Sequence, residues 1–196
     1  KKLVQKNMEN LKDILDAGTP IVGLEPSAIL SFRDEYQRLH DDKGQLKKLS
    51  SQSFLIEEFL AAEIVAGEIS SDSFTEEEKT IKIHGHCHQK AAGVMGDMGQ
   101  ALGLIPGLDP KTIESSCCGM AGAFGYQVET IEVSRKMGEL SLLPAVRAAA
   151  PDDLLIANGT SCRHQIADGA GRRALHIAEI FDRASENAVR EGRNDG

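Results

Sequence analysis

Tryptophan is absent from this chain of 196 residues, and two Tyr and six Phe are its only aromatics. A core built from it must be aliphatic. Basic charge is also short: 22 Lys and Arg stand against 30 Asp and Glu, a formal net charge of −8. Nucleic acid needs a basic footprint, and no stripe of Lys and Arg supplies one. The same deficit argues against direct adhesion to anionic lipid. No apolar run approaches the roughly 20 residues that span a bilayer, so no transmembrane segment is expected. No secretory signal is expected either, since Lys1 opens onto an amphipathic pattern of Leu3, Val4, Met8, Leu11, Ile14 and Leu15. The missing initiator Met suggests a fragment of a longer polypeptide. Cysteine is scarce, at four residues, and without a secretory signal a metal or catalytic role is favoured over a disulfide framework.

What is present reads as alternating helices and strands. A helix is expected over about residues 2–17, closed by Gly18 and followed by Pro20. Residues 20–24 form a short buried strand, Ser27 caps a helix over 28–40, and the apolar spacing of 51–66 is again helical. The polar stretch 68–79 reads as a linker between a first lobe, 1–67, and a second, 80–196. In the second lobe, strands are expected at 80–84, 112–115 and 153–157. Helices are expected at 89–102, from the Gly-rich stretch to 149 with a break or restart at Pro144, from Cys162 to Ala170, and at 175–190. Alternation of this kind predicts an α/β fold, a parallel sheet flanked by helices.

All four cysteines fall at one structural address. Cys87 follows the first strand of the second lobe, Cys117 and Cys118 follow the next, and Cys162 comes shortly after the third. In open α/β sheets the crevice at the carboxyl ends of the strands is where ligands bind. Convergence of the four thiols on one site is therefore expected. Their neighbours are His, Ser, Gly and Arg, not the apolar flanks of core cysteines. A disulfide between Cys117 and Cys118 is disfavoured, since adjacent Cα atoms lie about 3.8 Å apart and disulfides usually need roughly 4.4–6.8 Å. Four thiolates suit tetrahedral zinc or an iron–sulfur cluster. Adjacent cysteines reach two different irons more easily than one zinc ion, so spacing favours iron–sulfur, with zinc as the alternative.

Gly119, Gly122 and Gly125 follow a strand, as a phosphate-cradling loop would, but the pattern is GxxGxxG. A backbone that must approach sulfur closely is the better explanation. His84, His86 and His88 alternate and face one way if the strand extends that far; polar strand-end positions are the simpler reading, metal ligation the sharper one. Lys90, Arg163 and His164 would offset thiolate charge, or be ordinary surface groups.

Three stretches carry a resemblance: His84-Gly85-His86-Cys87-His88-Gln89-Lys90-Ala91, Cys117-Cys118-Gly119-Met120-Ala121-Gly122-Ala123-Phe124-Gly125-Tyr126, and Asn158-Gly159-Thr160-Ser161-Cys162-Arg163-His164-Gln165-Ile166. Together they closely resemble the cysteine-rich CCG domain of the heterodisulfide reductase B subunit and of glycolate oxidase iron–sulfur subunits. The wording is most like the C-terminal region of FAD-linked D-2-hydroxyacid dehydrogenases, the D-lactate or D-2-hydroxyglutarate type. The match covers about residues 20–181. The family places two CCG repeats in tandem, each with a lone Cys, a Cys-Cys-Gly and a final C-x-x-C. The resemblance implies that Cys87, Cys117, Cys118 and Cys162 hold an iron–sulfur cluster of the [4Fe-4S] type for electron transfer. It implies FAD only in a domain or subunit outside this chain, an acceptor such as a quinone, and no complete active site here. A cytoplasmic location follows, peripheral at the inner face of the membrane. The chain departs from the pattern at Gly159, where the family has a cysteine. The first lobe is an incomplete repeat, in which Glu25 and Ala28 fill the two cysteine places of the final pair. For Glu25 a cap or salt bridge is the expected role.

Overall fold

The computed structural model describes residues 1–194, with side chains through Ser185. Helix α1 (Lys2–Ala17) leads into strand β1 (Ile21–Gly23). Short helices α2 (Pro26–Ile29) and α3 (Glu35–Leu39), a 3-10 turn between them, and α4 (Lys43–Gln52) return the chain to β2 (Ser53–Leu55). Helix α5 (Ile56–Ala66) closes this half. The second half runs β3 (Lys79–Ile83), α6 (Cys87–Ala92), α7 (Met95–Leu102), β4 (Leu108–Thr112), α8 (Ile131–Glu139) and α9 (Leu142–Ala148). It ends with β5 (Leu154–Ile156), α10 (Thr160–Ala170) and α11 (Ile177–Asn194). The fold is mixed α/β, with two small parallel sheets flanked by helices: β1 beside β2, and β4-β3-β5 with β3 central.

Local chemistry accounts for most of these elements. In α1, Val4, Met8 and Leu15 recur on one buried face, and Gly18, at φ 73°, closes the helix with N–H bonds to Ile14 and Leu15 carbonyls. In β3, Ile81 and Ile83 alternate into the core. Around them pack Met98, Leu102, Ile105, Ile156, Ile177 and Ile180, and from the first half Ile56, Leu60 and Ile64 of α5. The other face of the sheet carries Leu155 and Ala157 against Leu142, Val146 and Ile166. Cys118 and Cys162 belong to this second cluster.

Several sequence expectations need correction. The helix expected over 28–40 is broken into two short helices and a 3-10 turn, and Ser27 does not cap it. Glu25 stands at the N-cap, and the Ser27 hydroxyl donates to its carboxylate at 2.9 Å. The apolar spacing of 51–66 hides a strand: Ser53–Leu55 pairs with β1, because tertiary pairing overrides a helical period in so short a run. The helix expected over 89–102 stops at Gly93, φ 73°, and restarts at Met95. The second strand of the sheet lies at Leu108–Thr112, not 112–115; an edge position tolerates Pro110, which has no N–H to donate. Helix does not follow the glycine-rich loop directly. Only a 3-10 turn (Phe124–Tyr126) precedes α8, and Pro144 lies in the first turn of α9, where its missing N–H costs nothing.

A buried polar network ties the two sheets together. Glu57, on α5, is fully buried; Gln89 Nε2 donates to its Oε1, and Asn158 Nδ2 donates to its Oε2 at 2.9 Å. Gln89 Oε1 then accepts from the His86 backbone at 2.7 Å, and Asn158 Oδ1 from the Ile177 backbone at 3.0 Å. Burial pushes the Glu57 carboxyl up from its ordinary range, against the pull of the two amides. Glu57→Ala leaves both amide donors buried without a partner. It should cost about 2–5 kcal/mol, read as a lowered urea midpoint at an unchanged m-value; a variant as stable as wild type would remove this network from the account.

Candidate metal centre

The carboxyl ends of β3, β4 and β5 point the same way, and the loops leaving them carry all four cysteines. Cys87 opens α6 three residues beyond His84; Cys117 and Cys118 lie beyond β4; Cys162 sits in the first turn of α10. Cys118 and Cys162 are buried and in contact, with the Cys162 thiol donating to Cys118 Sγ at 3.5 Å. Cys87 and Cys117 are half-buried. Cys87, Cys117 and Cys118 line a cavity of about 480 Å³ with Ser27, His86, His88 and the glycine-loop backbone. The expected convergence of four sulfurs is what the fold produces.

Their protonation is uneven. The hydrogen bond from Cys162, helped by His84 and opposed by burial, holds Cys118 down to about 4. The same contact, with burial, pushes the Cys162 thiol far up. Burial and then Cys117 push Cys87 up to about 11, while the Lys90 charge pulls the other way. Within the inner pair the shared hydrogen bond therefore favours charge on Cys118 and the proton on Cys162. Binding a metal to both must release that proton.

The loops are held by groups whose side chains reach backbone. Lys90 Nζ donates to the Ser115 and Ser116 carbonyls, and Arg163 Nη1 to those of Ala157 and Asn158, at 2.9 and 2.6 Å. Arg163 therefore serves as a loop clamp, and Lys90 is a clamp that also acts on Cys87. His164 is exposed and pairs with the Tyr126 hydroxyl at 2.6 Å. Gln165 Nε2 donates to the Cys118 carbonyl at 2.9 Å and to Ser134 at 3.1 Å, fixing the Cys-Cys loop from α10. Gln165, Gln89, Asn158 and Glu57 were not singled out from sequence. For Gln165 the available signal was a polar residue three positions after Cys162, beside Ile166 on the buried face of α10.

Glu25 takes the capping role expected of it. Its Oε2 accepts from the Thr160 backbone and hydroxyl, both at 2.9 Å, so the first half caps the helix that carries Cys162. Gly119 and Gly125 serve packing, while Gly122 has open space around it and a left-handed backbone at φ 68°. A Cβ at Gly119, φ 94°, would lie 2.2 Å from the Ser134 carbonyl oxygen, and no helix opens at this loop to receive phosphate. The Gly119 N–H instead points at Cys117 Sγ, 3.3 Å away.

The three histidines do not share a face, because β3 ends at Ile83. His86 is the N-cap of α6, its Nδ1 accepting from His88 N at 3.2 Å, and the exposed His88 ring stacks on it at 5.1 Å. His84 is fully buried, and one of its ring nitrogens lies with Cys118 and Cys162 Sγ in a group whose atoms all fall within 4.8 Å of one another.

Comparison with known proteins gives this geometry a context. The chain is 27% identical over 181 residues to a D-2-hydroxyglutarate dehydrogenase of Pseudomonas putida, covering 91% of this chain and 16% of that protein. It is 29% identical over 183 residues to the D-2-hydroxyglutarate dehydrogenase of Escherichia coli K12, covering 92% and 17%. It is also 24% identical over 183 residues to one subunit of the anaerobic glycerol-3-phosphate dehydrogenase of the same organism, covering 91% and 44%. The chain thus spans less than a fifth of the first two relatives and under half of the third. No protein-family model matches the chain, and no solved structure matches it. The chain is related to one part of larger oxidoreductases.

Gly159 has a steric reason. A Cβ there would lie 2.4 Å from His86 Cδ2 and 3.2 Å from Cys162 Sγ. The His86 ring fills the space that a side chain at 159 would need. The backbone at Gly159 is extended, φ −69°, so only the clash opposes a larger residue. Gly159→Ala should cost about 1–3 kcal/mol in chemical denaturation, and adding His86→Ala should recover part of it. Strictly additive single-variant effects would show that the ring and the glycine do not compete for this space.

Proposed function

We propose that this chain is the iron–sulfur electron-transfer part of an FAD-linked D-2-hydroxyacid dehydrogenase, built as a CCG-type domain of which the first repeat is incomplete. The observation that carries the reading is the delivery of four thiols by three parallel strands to one strand-end site. The relatives support the oxidoreductase class: two are named for D-2-hydroxyglutarate oxidation and one as a dehydrogenase subunit. The residues fit a cluster. The donor set is thiol-rich, and a buried histidine nitrogen nearby has no partner among the described residues. In this reading Cys87, Cys117, Cys118 and Cys162 hold a [4Fe-4S]-type cluster, which when bound takes up and releases single electrons.

The protein's own residues prepare that site. Gln165 and Lys90 position the Cys-Cys loop, Glu25 and Arg163 the turn before Cys162, and Glu57 with Gln89 the start of α6. The aliphatic cluster of Ile113, Met120, Leu142 and Ile166 keeps water from the inner pair. The flavin that oxidises the hydroxyacid belongs to a domain or subunit outside this chain, and the electrons pass to an acceptor such as a quinone. Among the described residues no helix is long and apolar enough to cross a membrane. The protein acts in the cytoplasm, peripheral to the inner membrane face.

A zinc-stabilised module is the second reading, favoured by the compact grouping of His84, Cys118 and Cys162. Anaerobic reconstitution with iron and sulfide separates the two. The cluster reading expects brown protein, and sharp loss of iron in both Cys117→Ser and Cys118→Ser with far-UV helix content retained. Structural zinc contributes on the order of 10 kcal/mol to folding, so colourless wild-type protein with zinc bound and both variants unfolded would establish the zinc module. Full metal retention in both variants would remove the Cys-Cys pair from the site.

A further inference from the structure

We infer that His84 is itself a metal ligand, its Nε2 joining Cys118 and Cys162 on the buried side of the centre. The inference rests on the metal-centre reading above; a [4Fe-4S] cluster offers four terminal iron positions, so His84 takes one that a thiolate would otherwise fill.

Burial raises the question first. His84 is 0% exposed, and Nε2 has no hydrogen-bond partner among the described residues. A buried ring nitrogen left unpaired costs about 1–3 kcal/mol, so a histidine there needs a partner the bare chain does not provide. The neighbours are thiols: His84, Cys118 and Cys162 each bring one ligand-type atom into a group spanning 4.8 Å.

The other ring nitrogen decides the tautomer. His84 Nδ1 lies 2.8 Å from Ser115 Oγ. That hydroxyl gives its hydrogen to the Ile113 carbonyl at 3.4 Å and receives one from Lys90 Nζ at 3.3 Å. We assign the ring proton to Nδ1, which then donates to this hydroxyl, the tautomer that leaves Nε2 free for a metal. Nε2 is then a bare lone pair turned toward sulfur. Imidazoles that bind metal are held this way, donating the distal N–H to an oxygen that fixes both tautomer and ring orientation. The backbone is pinned as well, since His84 N–H donates to the Ile156 carbonyl at 2.8 Å and extends the ladder by one residue. His86 and His88 differ, for His86 Nδ1 is occupied as a cap acceptor and the His88 ring is exposed. A neutral nitrogen among thiolates lowers the negative charge of the centre and makes it easier to reduce.

The test uses the full chain, with ¹⁵N-histidine labelling and two probes, iron with sulfide and Co²⁺ alone. In the reduced iron-loaded protein, pulsed EPR should show a directly bonded nitrogen coupling that changes on labelling, survives in His86→Ala and His88→Ala, and vanishes in His84→Asn. Asn at 84 keeps a donor for Ser115 and lacks Nε2. Co²⁺ affinity should fall by about 10–100-fold in His84→Asn, with far-UV CD unchanged. Should that variant unfold, the labelled wild type and the other two histidine variants still decide the assignment. A wild-type cluster without bonded nitrogen, or a coupling that survives in His84→Asn, overturns the role of His84 and leaves the thiolate centre standing. Wild-type protein that binds neither probe overturns both.

Discussion

Cys118 and Cys162 face each other at 3.5 Å inside an aliphatic cluster, where a charged sulfur has lost most of its hydration. Such a charge persists only if hydrogen bonds or a cation replace the lost water. Here the hydrogen bond from Cys162 supplies part of that. The same contact favours the proton on Cys162, and the nearby His84 Nε2 has no partner among the described residues. Under the proposed metal-centre reading, these are the groups that a metal would take up together.

Keeping the pair in place falls to polar side chains that reach backbone. Gln165 holds the Cys118 carbonyl from one side, and Lys90 holds the preceding loop from the other. Arg163 gathers the carbonyls before Cys162, while Glu25 satisfies the free N–H at the start of α10. A helix terminus left uncapped near a buried sulfur would admit water or fray. These contacts answer that problem with groups drawn from both halves of the chain. Glu57 extends the arrangement, since its two oxygens receive amides from the loops that carry Cys87 and Cys162.

Two local features of the first half recur in the second. Strand β1 pairs with β2 through Val22 and Phe54, as Ile156 bridges to Leu175. In both places the next helix begins with a glutamate that accepts from a backbone N–H, Glu58 from Leu55 and Glu179 from His176. Counting from these pairs sets Glu25 against Gly159 and Ala28 against Cys162. At the first pair of positions a carboxylate caps the helix that carries Cys162, and a glycine leaves room for the His86 ring.

Much of this was legible in the residues. Strand-then-cysteine spacing, repeated three times, places four thiols at one sheet edge because side chains leaving parallel strands at the same end must meet. Alternating apolar residues marked β3, a short continuous apolar run marked β5, and the periodicity of α1 and α11 marked those helices. Residues 51–66 and 112–115 misled for the opposite reason: Phe54-Leu55-Ile56 satisfies either period, Thr112-Ile113-Glu114-Ser115 holds a single apolar residue, and only the partner strand selects the register. The direction of the three histidines was likewise out of reach, because it turned on whether β3 ended at Ile83 or ran on. Linear spacing states which donors are available. Which of them are left unpartnered inside the core, Nε2 of His84 among them, depends on long-range packing and on hydrogen bonds that close between residues 31 to 101 positions apart.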